Sequence, residues 1–245
     1  MALLQITDLR AGYGSAGVLH GVSFGVREGE LAVLLGANGV GKTTTLNAIA
    51  GLLRPWSGSI TFDGRPIDRM NAERVVRLGL GMVPGPPGIF RELSVVDNLR
   101  VGGFAVGSRT VEHHVDRVLG TFPILRERAR QTAGSLSGGE QRMLAMARAL
   151  MGEPRLLLVD EASMGLSPAM TSNVLRLLDE VRRDGVTILM AEQNVAALAI
   201  ADRAFVMEKG VIVREDEGSA LAQTRAEVAR AYLGTTTQAL AGGKR

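Results

Sequence analysis

The segment Gly36-Ala-Asn-Gly-Val-Gly-Lys42-Thr43 fits the pattern G-x-x-x-x-G-K-[ST], and what flanks it narrows the fold further. Before it, Glu30-Leu-Ala-Val-Leu-Leu35 is an apolar run of strand length; after it, residues 42–53 carry apolar side chains at helical spacing. A strand feeding a glycine loop that opens a helix is a phosphate-binding unit. The glycines let backbone N–H groups curl round phosphate oxygens, and the start of the helix adds positive potential. In this pattern Lys42 reaches the β- and γ-phosphates and Thr43 ligates magnesium. With 31 Gly and three Lys in 245 residues, composition alone would yield about 0.005 such matches, so a bare glycine turn is a poor rival.

The surrounding pattern reads as an α/β chain. Residues 3–9, 18–26 and 59–62 alternate or cluster apolar side chains between glycine breaks, an antiparallel opening. Residues 71–78 read as a helix and 81–83 as a short strand. Pro84-Gly-Pro-Pro-Gly88 cannot be regular structure, because proline removes donors and glycine loosens the chain, so a subdomain boundary is expected there. Residues 94–151 are mainly helical, with breaks at Gly102-Gly103, Gly107 and Gly134. Strands at 155–159 and 186–190, separated by a helix over 168–183, predict a parallel β–α–β crossover. A hairpin over 205–213, a helix over 220–233 and a flexible tail over 235–245 complete the reading. The expected organisation is one nucleotide-binding domain over 1–234. Its core and β subdomain come from 1–85 and 154–234, and its helical subdomain from 86–153.

Composition removes several function classes. With no cysteine, the chain has no disulfides, thiolate metal sites or cysteine nucleophiles. The pI of about 9.8 suggests a nucleic-acid partner, yet the net charge is only +3. Of the 28 basic residues 25 are Arg, so little titrates between pH 7 and about 10 to cancel a small excess. No nucleic-acid partner is expected. The N-terminus lacks the basic flank of a signal peptide, and no apolar run approaches the ~18 residues of a spanning helix, so any membrane role is expected to be peripheral. His20, His113 and His114 do not form a zinc set, and Met143, Met146 and Met151 read as core filler.

Two further segments bear chemistry. Arg155-Leu-Leu-Leu-Val-Asp160-Glu161 is a strand ending in two acids, where an α/β sheet presents groups to a ligand. Alone it could be a helix start; paired with the phosphate loop, Asp160 would hold magnesium and Glu161 would polarise the water attacking the γ-phosphate. Leu136-Ser-Gly-Gly-Glu-Gln141 precedes a helical run, and by itself it could be a simple helix cap.

Together, Gly36, Ala37, Asn38, Gly39, Val40, Gly41, Lys42, Thr43 and Thr44, the Leu136 to Gln141 segment, the Leu158 to Glu161 strand end and their order resemble the ATP-binding subunit of ABC transporters. The resemblance extends to about residue 233. It implies a RecA-like P-loop core with an antiparallel β subdomain and an inserted helical subdomain, and ATP and Mg2+ as cofactors. It also implies an ATP-dependent head-to-tail dimer, with itself or a sibling subunit. In that dimer Ser137, Gly138, Gly139 and Gln141 of one subunit close over the nucleotide held by the other's phosphate loop. The resemblance further implies that Tyr13 stacks on adenine, that Thr44 lies at the α-phosphate and that Gln193 stands where relatives sense the γ-phosphate with histidine.

Val83-Pro84, Phe90, Leu93-Ser94-Val95, Asn98-Leu99, Phe122-Pro123 and Ala191-Glu192-Gln193-Asn194 are similar to one branch, the second ATP-binding subunit of branched-chain amino acid importers. Besides Gln193, three positions depart from the family pattern. Gly85 stands where relatives carry Gln or Glu to touch the metal's water shell and signal to the membrane subunit, Ala162 replaces a proline, and Ser167 replaces a frequent Asp. The expected protein is the ATP-hydrolysing motor of an importer, seated on the inner face of the cell membrane against permease subunits, with turnover slowed by Gly85. Urea or amide import, a soluble ABC-type ATPase and an ATP-binding module with little turnover are the alternatives.

Overall fold

The computed structural model describes residues 2–86, 88–105 and 110–223. It contains two sheets. The first is antiparallel: β1 (Ala2–Tyr13) pairs with β2 (Ala16–Arg27) and with β4 (Ser57–Phe62), and β5 (Arg65–Pro66) closes the edge. β1 runs four residues past its expected end. The register shifts between Ile6 and Leu9, around the left-handed Asp8 (φ 44°), so the alternation breaks at a bulge while the strand continues.

The second sheet has the order β10-β9-β3-β8-β7-β6. β3 (Leu31–Leu35) lies between β8 (Thr187–Glu192) and β9 (Arg203–Glu208) and is parallel to both. β7 (Leu156–Asp160) and β6 (Leu80–Val83) extend the parallel run, and β10 (Val211–Glu217) pairs antiparallel with β9. Every residue of β3, β7 and β8 is buried, which is why these strands read as continuous apolar runs rather than alternations. Leu31, Val33 and Leu35 join a core shared with the helices, while Ala32 and Leu34 join one shared with the antiparallel sheet. The central sheet is thus covered on both faces.

α1 (Lys42–Ile49) follows β3 and stops four residues short of the expected end, because Gly51 turns left-handed (φ 71°). α2 (Ala72–Arg77) is capped by Asn71, whose side chain accepts from the Arg74 N–H. Between β6 and β7 come α3 (Val95–Gly102), α4 (Val111–Thr121), α5 (Pro123–Glu127) and α6 (Gly138–Leu150). Met146 and Met151 are fully buried among them, and Met143 packs against the same core. The expected break at Gly107 lies outside the described residues. α7 (Pro168–Arg183) matches its expected bounds at both ends and, as expected, forms a parallel crossover from β7 to β8. α8 (Gly218–Gln223) opens the expected closing helix; its continuation to 233 and the tail over 235–245 lie outside the described residues. No helix among the described residues is long and apolar enough to cross a membrane.

Candidate functional site

β3, β7 and β8 release their chains at the same edge of the sheet, the carboxyl edge where α/β folds hold ligands. From β3, the Gly36 N–H donates to the Glu192 carbonyl (3.1 Å), fastening the phosphate loop to the end of β8. Gly41 begins α1 in the left-handed region (φ 113°), and an added Cβ there would sit 2.8 Å from Leu19 and 2.9 Å from Met207, so only glycine fits. α1 has no acid in its first turn and no side-chain cap, whereas Asn71, Ser94, Ser137 and Ser167 cap α2, α3, α6 and α7, the first three of which also carry an acid there. Its N-terminal N–H groups are therefore left for an anion.

Lys42 is 3% exposed, and its Nζ donates to the carbonyls of Gly36 (2.8 Å) and Ala37 (3.0 Å). The same ammonium lies 3.6 Å from Glu161 Oε1. Thr43 Oγ1 donates to Asp160 at 2.9 and 3.1 Å. Burial pushes the Asp160 carboxyl above the usual aspartate value. The Thr43 hydrogen bond opposes that, the Glu161 charge adds to it, and Lys42 and Arg142 oppose it. Hydroxyl and carboxylate oxygens are the donors that a hard divalent cation takes. Among the described residues no group of three or more His, Cys, Asp or Glu could hold a metal by itself. A cation bound through Thr43 and Asp160 would therefore complete its shell with phosphate oxygens and water.

Glu161 follows in the left-handed region (φ 48°), and its N–H donates to the Ala191 carbonyl (2.9 Å). A non-glycine residue held there is strained and has to be fixed by its surroundings. Gly85 lies beside this pair: a Cβ built on it would meet only Asp160 Oδ2 within 4 Å, at 3.8 Å. A longer side chain at 85 would reach the acids, and this chain has none.

Asn38, Glu161, Ser163, Gln193 and Asn194 line one cavity of about 450 Å3. Thus Asn38 and Gln193, from loops far apart in sequence, share a space with Glu161. Tyr13, at the β1–β2 turn, is 52% exposed, and its side chain makes no hydrogen bond or ring contact among the described residues.

The Ser137 segment stands apart. Ser137 Oγ accepts from the Glu140 N–H (3.4 Å) while Glu140 accepts from the Ser137 N–H (2.9 Å), a closed capping box at the start of α6. Ser137 and Gly138 are exposed. Gly139 is buried against α7, where an added Cβ would lie 1.9 Å from Met170 Cε. Gln141 turns its amide back on the carbonyls of Leu136 (3.0 Å) and Gly134 (3.4 Å). Among the described residues this segment makes no hydrogen bond to the phosphate loop. Ser167, at the position expected for Asp, caps α7 by accepting from the Met170 N–H (3.4 Å), a task either residue performs.

The sequence pattern assigns no role to two buried charges at the site, Glu192 and Arg142. Glu192, 2% exposed, accepts from Ser163 N–H (2.8 Å), Ser163 Oγ–H (2.9 Å), Gln193 N–H (3.2 Å) and Asn194 N–H (3.4 Å). Arg142, 4% exposed, donates to the carbonyls of Pro84 (2.9 Å) and Glu161 (2.7 Å). Burial pulls its guanidinium below the usual arginine value, against the charges of Glu192, Asp160 and Glu161. An acid ending a buried strand and an arginine on the apolar stripe of α6, three and four residues before Ala145 and Met146, are the signals that mark them.

Comparison with known proteins follows the same geometry. The family described as ABC transporter matches residues 19–164. The high-affinity branched-chain amino acid transport ATP-binding protein BraG of Pseudomonas aeruginosa is 42% identical over 233 residues, covering 95% of this chain and 100% of its own. The lipopolysaccharide export system ATP-binding protein LptB of Escherichia coli is 34% identical over 239 residues, covering 96% and 98%. Among solved structures, cbiO1 of Clostridium perfringens, part of the ABC transporter complex cbiONQ, aligns with a TM-score of 0.82 at 28% identity, over 94% of each chain.

Proposed function

The chain belongs to the ABC transporter family, and from that premise we propose that it is the ATP-hydrolysing subunit of an importer whose cargo is branched-chain amino acids. Nucleotide binding and ATPase activity come with the family. The observation that carries the finer reading is the convergence of Thr43 on Asp160 (2.9 Å) and of Lys42 on Glu161 (3.6 Å) at one sheet edge. For the cargo, the fuller identity to the amino acid transport protein, 42% against 34% for the lipopolysaccharide export protein, supports import.

In this mechanism the loop from Gly36 to Gly41 and the uncapped start of α1 receive the phosphates of ATP, with Thr44 at the α-phosphate. Lys42 exchanges the carbonyls of Gly36 and Ala37 for β- and γ-phosphate oxygens. Thr43 and Asp160 would hold Mg2+, which would supply neutralisation of phosphate charge. Glu161 accepts a hydrogen bond from the attacking water and orients it. Gln193 donates an amide hydrogen bond to a γ-phosphate oxygen and carries no proton. Tyr13 stacks on adenine.

Ser137, Gly138, Gly139 and Gln141 complete the site of a second subunit, a copy or a sibling, so hydrolysis belongs to the dimer. The exposure of Ser137 and Gly138, and the absence of hydrogen bonds from the segment to the chain's own phosphate loop among the described residues, support that assignment. α3 to α6 form the helical subdomain, and permease subunits hold the protein against the inner face of the membrane. Gly85 keeps turnover slow.

Two experiments test this. Tagged protein taken from native membranes in mild detergent brings down multi-span permeases and a sibling ATPase; recovery from the soluble fraction alone defeats the importer reading. In the purified protein, Glu161→Gln lowers phosphate release at least about 10²-fold with ATP still bound. Unchanged release removes Glu161 from its role.

A further inference from the structure

Arg142 lies in the second turn of α6, five residues past Ser137, yet its side chain leaves the helix to meet two loops of the parallel sheet. One nitrogen donates to the Pro84 carbonyl (2.9 Å), at the end of β6, and another to the Glu161 carbonyl (2.7 Å), just beyond β7. Although Asp160, Glu161 and Glu192 are near enough for their charges to bear on it, Arg142 forms an ion pair with none of them among the described residues. Its rigid fork is committed to two main-chain oxygens. A buried cation is costly to desolvate. Here that cost sets geometry at the residue that most needs setting. Glu161 is held left-handed (φ 48°), and both of its peptide groups are engaged, the N–H by the Ala191 carbonyl (2.9 Å) and the C=O by Arg142 (2.7 Å) and, within its own turn, by the Met164 N–H (3.2 Å), so that Arg142 is the one partner that ties it to α6. On the other side, Gly85 has no side chain with which to hold the acids, and the preceding carbonyl is gripped instead.

We infer that Arg142 is a positioning residue: by fixing the backbone of Glu161 it aims the carboxylate that orients water, and it makes that aim depend on α6, the helix that presents Ser137, Gly138 and Gly139. Any displacement of α6 relative to the sheet is then transmitted to Glu161 through one guanidinium. The inference rests on the ATPase reading given above.

The test is steady-state phosphate release by the purified full chain, with kcat expressed per nucleotide-binding site and nucleotide affinity measured separately. Arg142→Met removes both hydrogen bonds at similar volume and lowers kcat about 10²-fold, the scale of a displaced catalytic group. Arg142→Lys keeps the charge but cannot span both carbonyls, and lowers kcat about tenfold. In both variants KM and nucleotide affinity stay within about threefold, since neither carbonyl touches phosphate. Adding Arg142→Lys to Glu161→Gln slows the reaction no further, because the arginine acts only through that carboxylate. If Arg142→Met fails to fold, as its thermal unfolding would reveal, Arg142→Lys and the double variant decide.

Unchanged kcat, a parallel loss of kcat and affinity, or additive effects in the double variant overturns the inference and leaves the ATPase reading standing. A wild-type chain that binds ATP without hydrolysing it overturns both.

Discussion

At the ends of β3 and β7, Lys42, Thr43, Asp160 and Glu161 already stand within reach of one another, whereas at the start of α6 Ser137 and Gly138 face solvent and the polar groups of Ser137 cap their own helix. The two helix N-termini differ in the same sense. That of α1 carries no side-chain cap and no acid, and that of α6 is closed by Ser137 and Glu140. An open N-terminus next to a buried lysine is preorganised for a polyanion, because its donors lose no existing partner when phosphate arrives. A closed one must share or surrender a hydrogen bond first. The comparison supports the proposed division of labour, in which one region binds nucleotide from within the chain and the other engages it only when a second subunit delivers the phosphate.

The largest effect separating the two regions is expected at Lys42. Lys42→Met removes the buried ammonium and weakens ATP affinity about 10²-fold or more, as expected for a lost charge in a preorganised anion site. Equilibrium binding of a fluorescent ATP analogue measures it. Retained affinity would mean that the uncapped start of α1 and the glycine loop suffice, and the contrast with α6 would lose its sharpest element.

Next comes a contrast inside α6 itself. Gly139→Ala drives a methyl group to 1.9 Å from the end of the Met170 side chain, so that flexible end has to swing aside, at a cost of up to about 1 kcal/mol. Gly138→Ala points into open space and changes stability by less than about 0.5 kcal/mol. Chemical denaturation separates them, and Met170→Ala in the Gly139→Ala background restores part of the loss. Gly139 thus has a packing reason within the chain, while Gly138 has none there. Equal stability costs would remove that distinction.

Ser137→Ala follows. It opens the capping box and costs about 1 kcal/mol of stability. It leaves the ATP affinity of the single chain unchanged, while hydrolysis at concentrations that support dimers falls about tenfold. Weakened affinity in dilute monomer would show that Ser137 serves its own chain's nucleotide.

The same contrast governs what could be read from the sequence. The phosphate loop was legible because glycine spacing, a buried strand and a helix start are local properties. α7 was legible at both ends because Ser167, Pro168 and the closing pair Arg182 and Arg183 are standard helix signals. The sequence pattern ends β1 early, where the bulge at Asp8 breaks its alternation, and carries α1 too far, because apolar spacing continues over residues 42–53 past Gly51. Arg142 and Glu192 escaped for another reason. Arg142 bonds to residues 58 and 19 positions away, and Glu192 to Ser163, 29 positions away, so their partners are decided by tertiary packing. Spacing along the chain carries no trace of such bonds.

Glu192 offers the smallest and most selective test, because it joins the prebuilt side to itself. Its backbone carbonyl holds the Gly36 N–H, and its carboxylate gathers Ser163, Gln193 and Asn194. Burial pushes this carboxyl above the usual glutamate value, and the donors from Ser163, Asn194 and Gln193 oppose the shift. A raised pKa in the folded state means that the folded chain binds the proton more tightly than the unfolded one. Its contribution to stability is therefore greatest below the unfolded value and is lost as pH rises through the folded value. Glu192→Gln has no proton to lose, so the Tm of wild type minus that of the variant falls as pH rises from about 4 to about 7. A value that rises over that interval would mean that the four donors outweigh burial. Ser163 and the Gln193–Asn194 segment would then be drawn together by a carboxylate held in its charged form, and the nucleotide side would be more tightly preorganised than its burial implies.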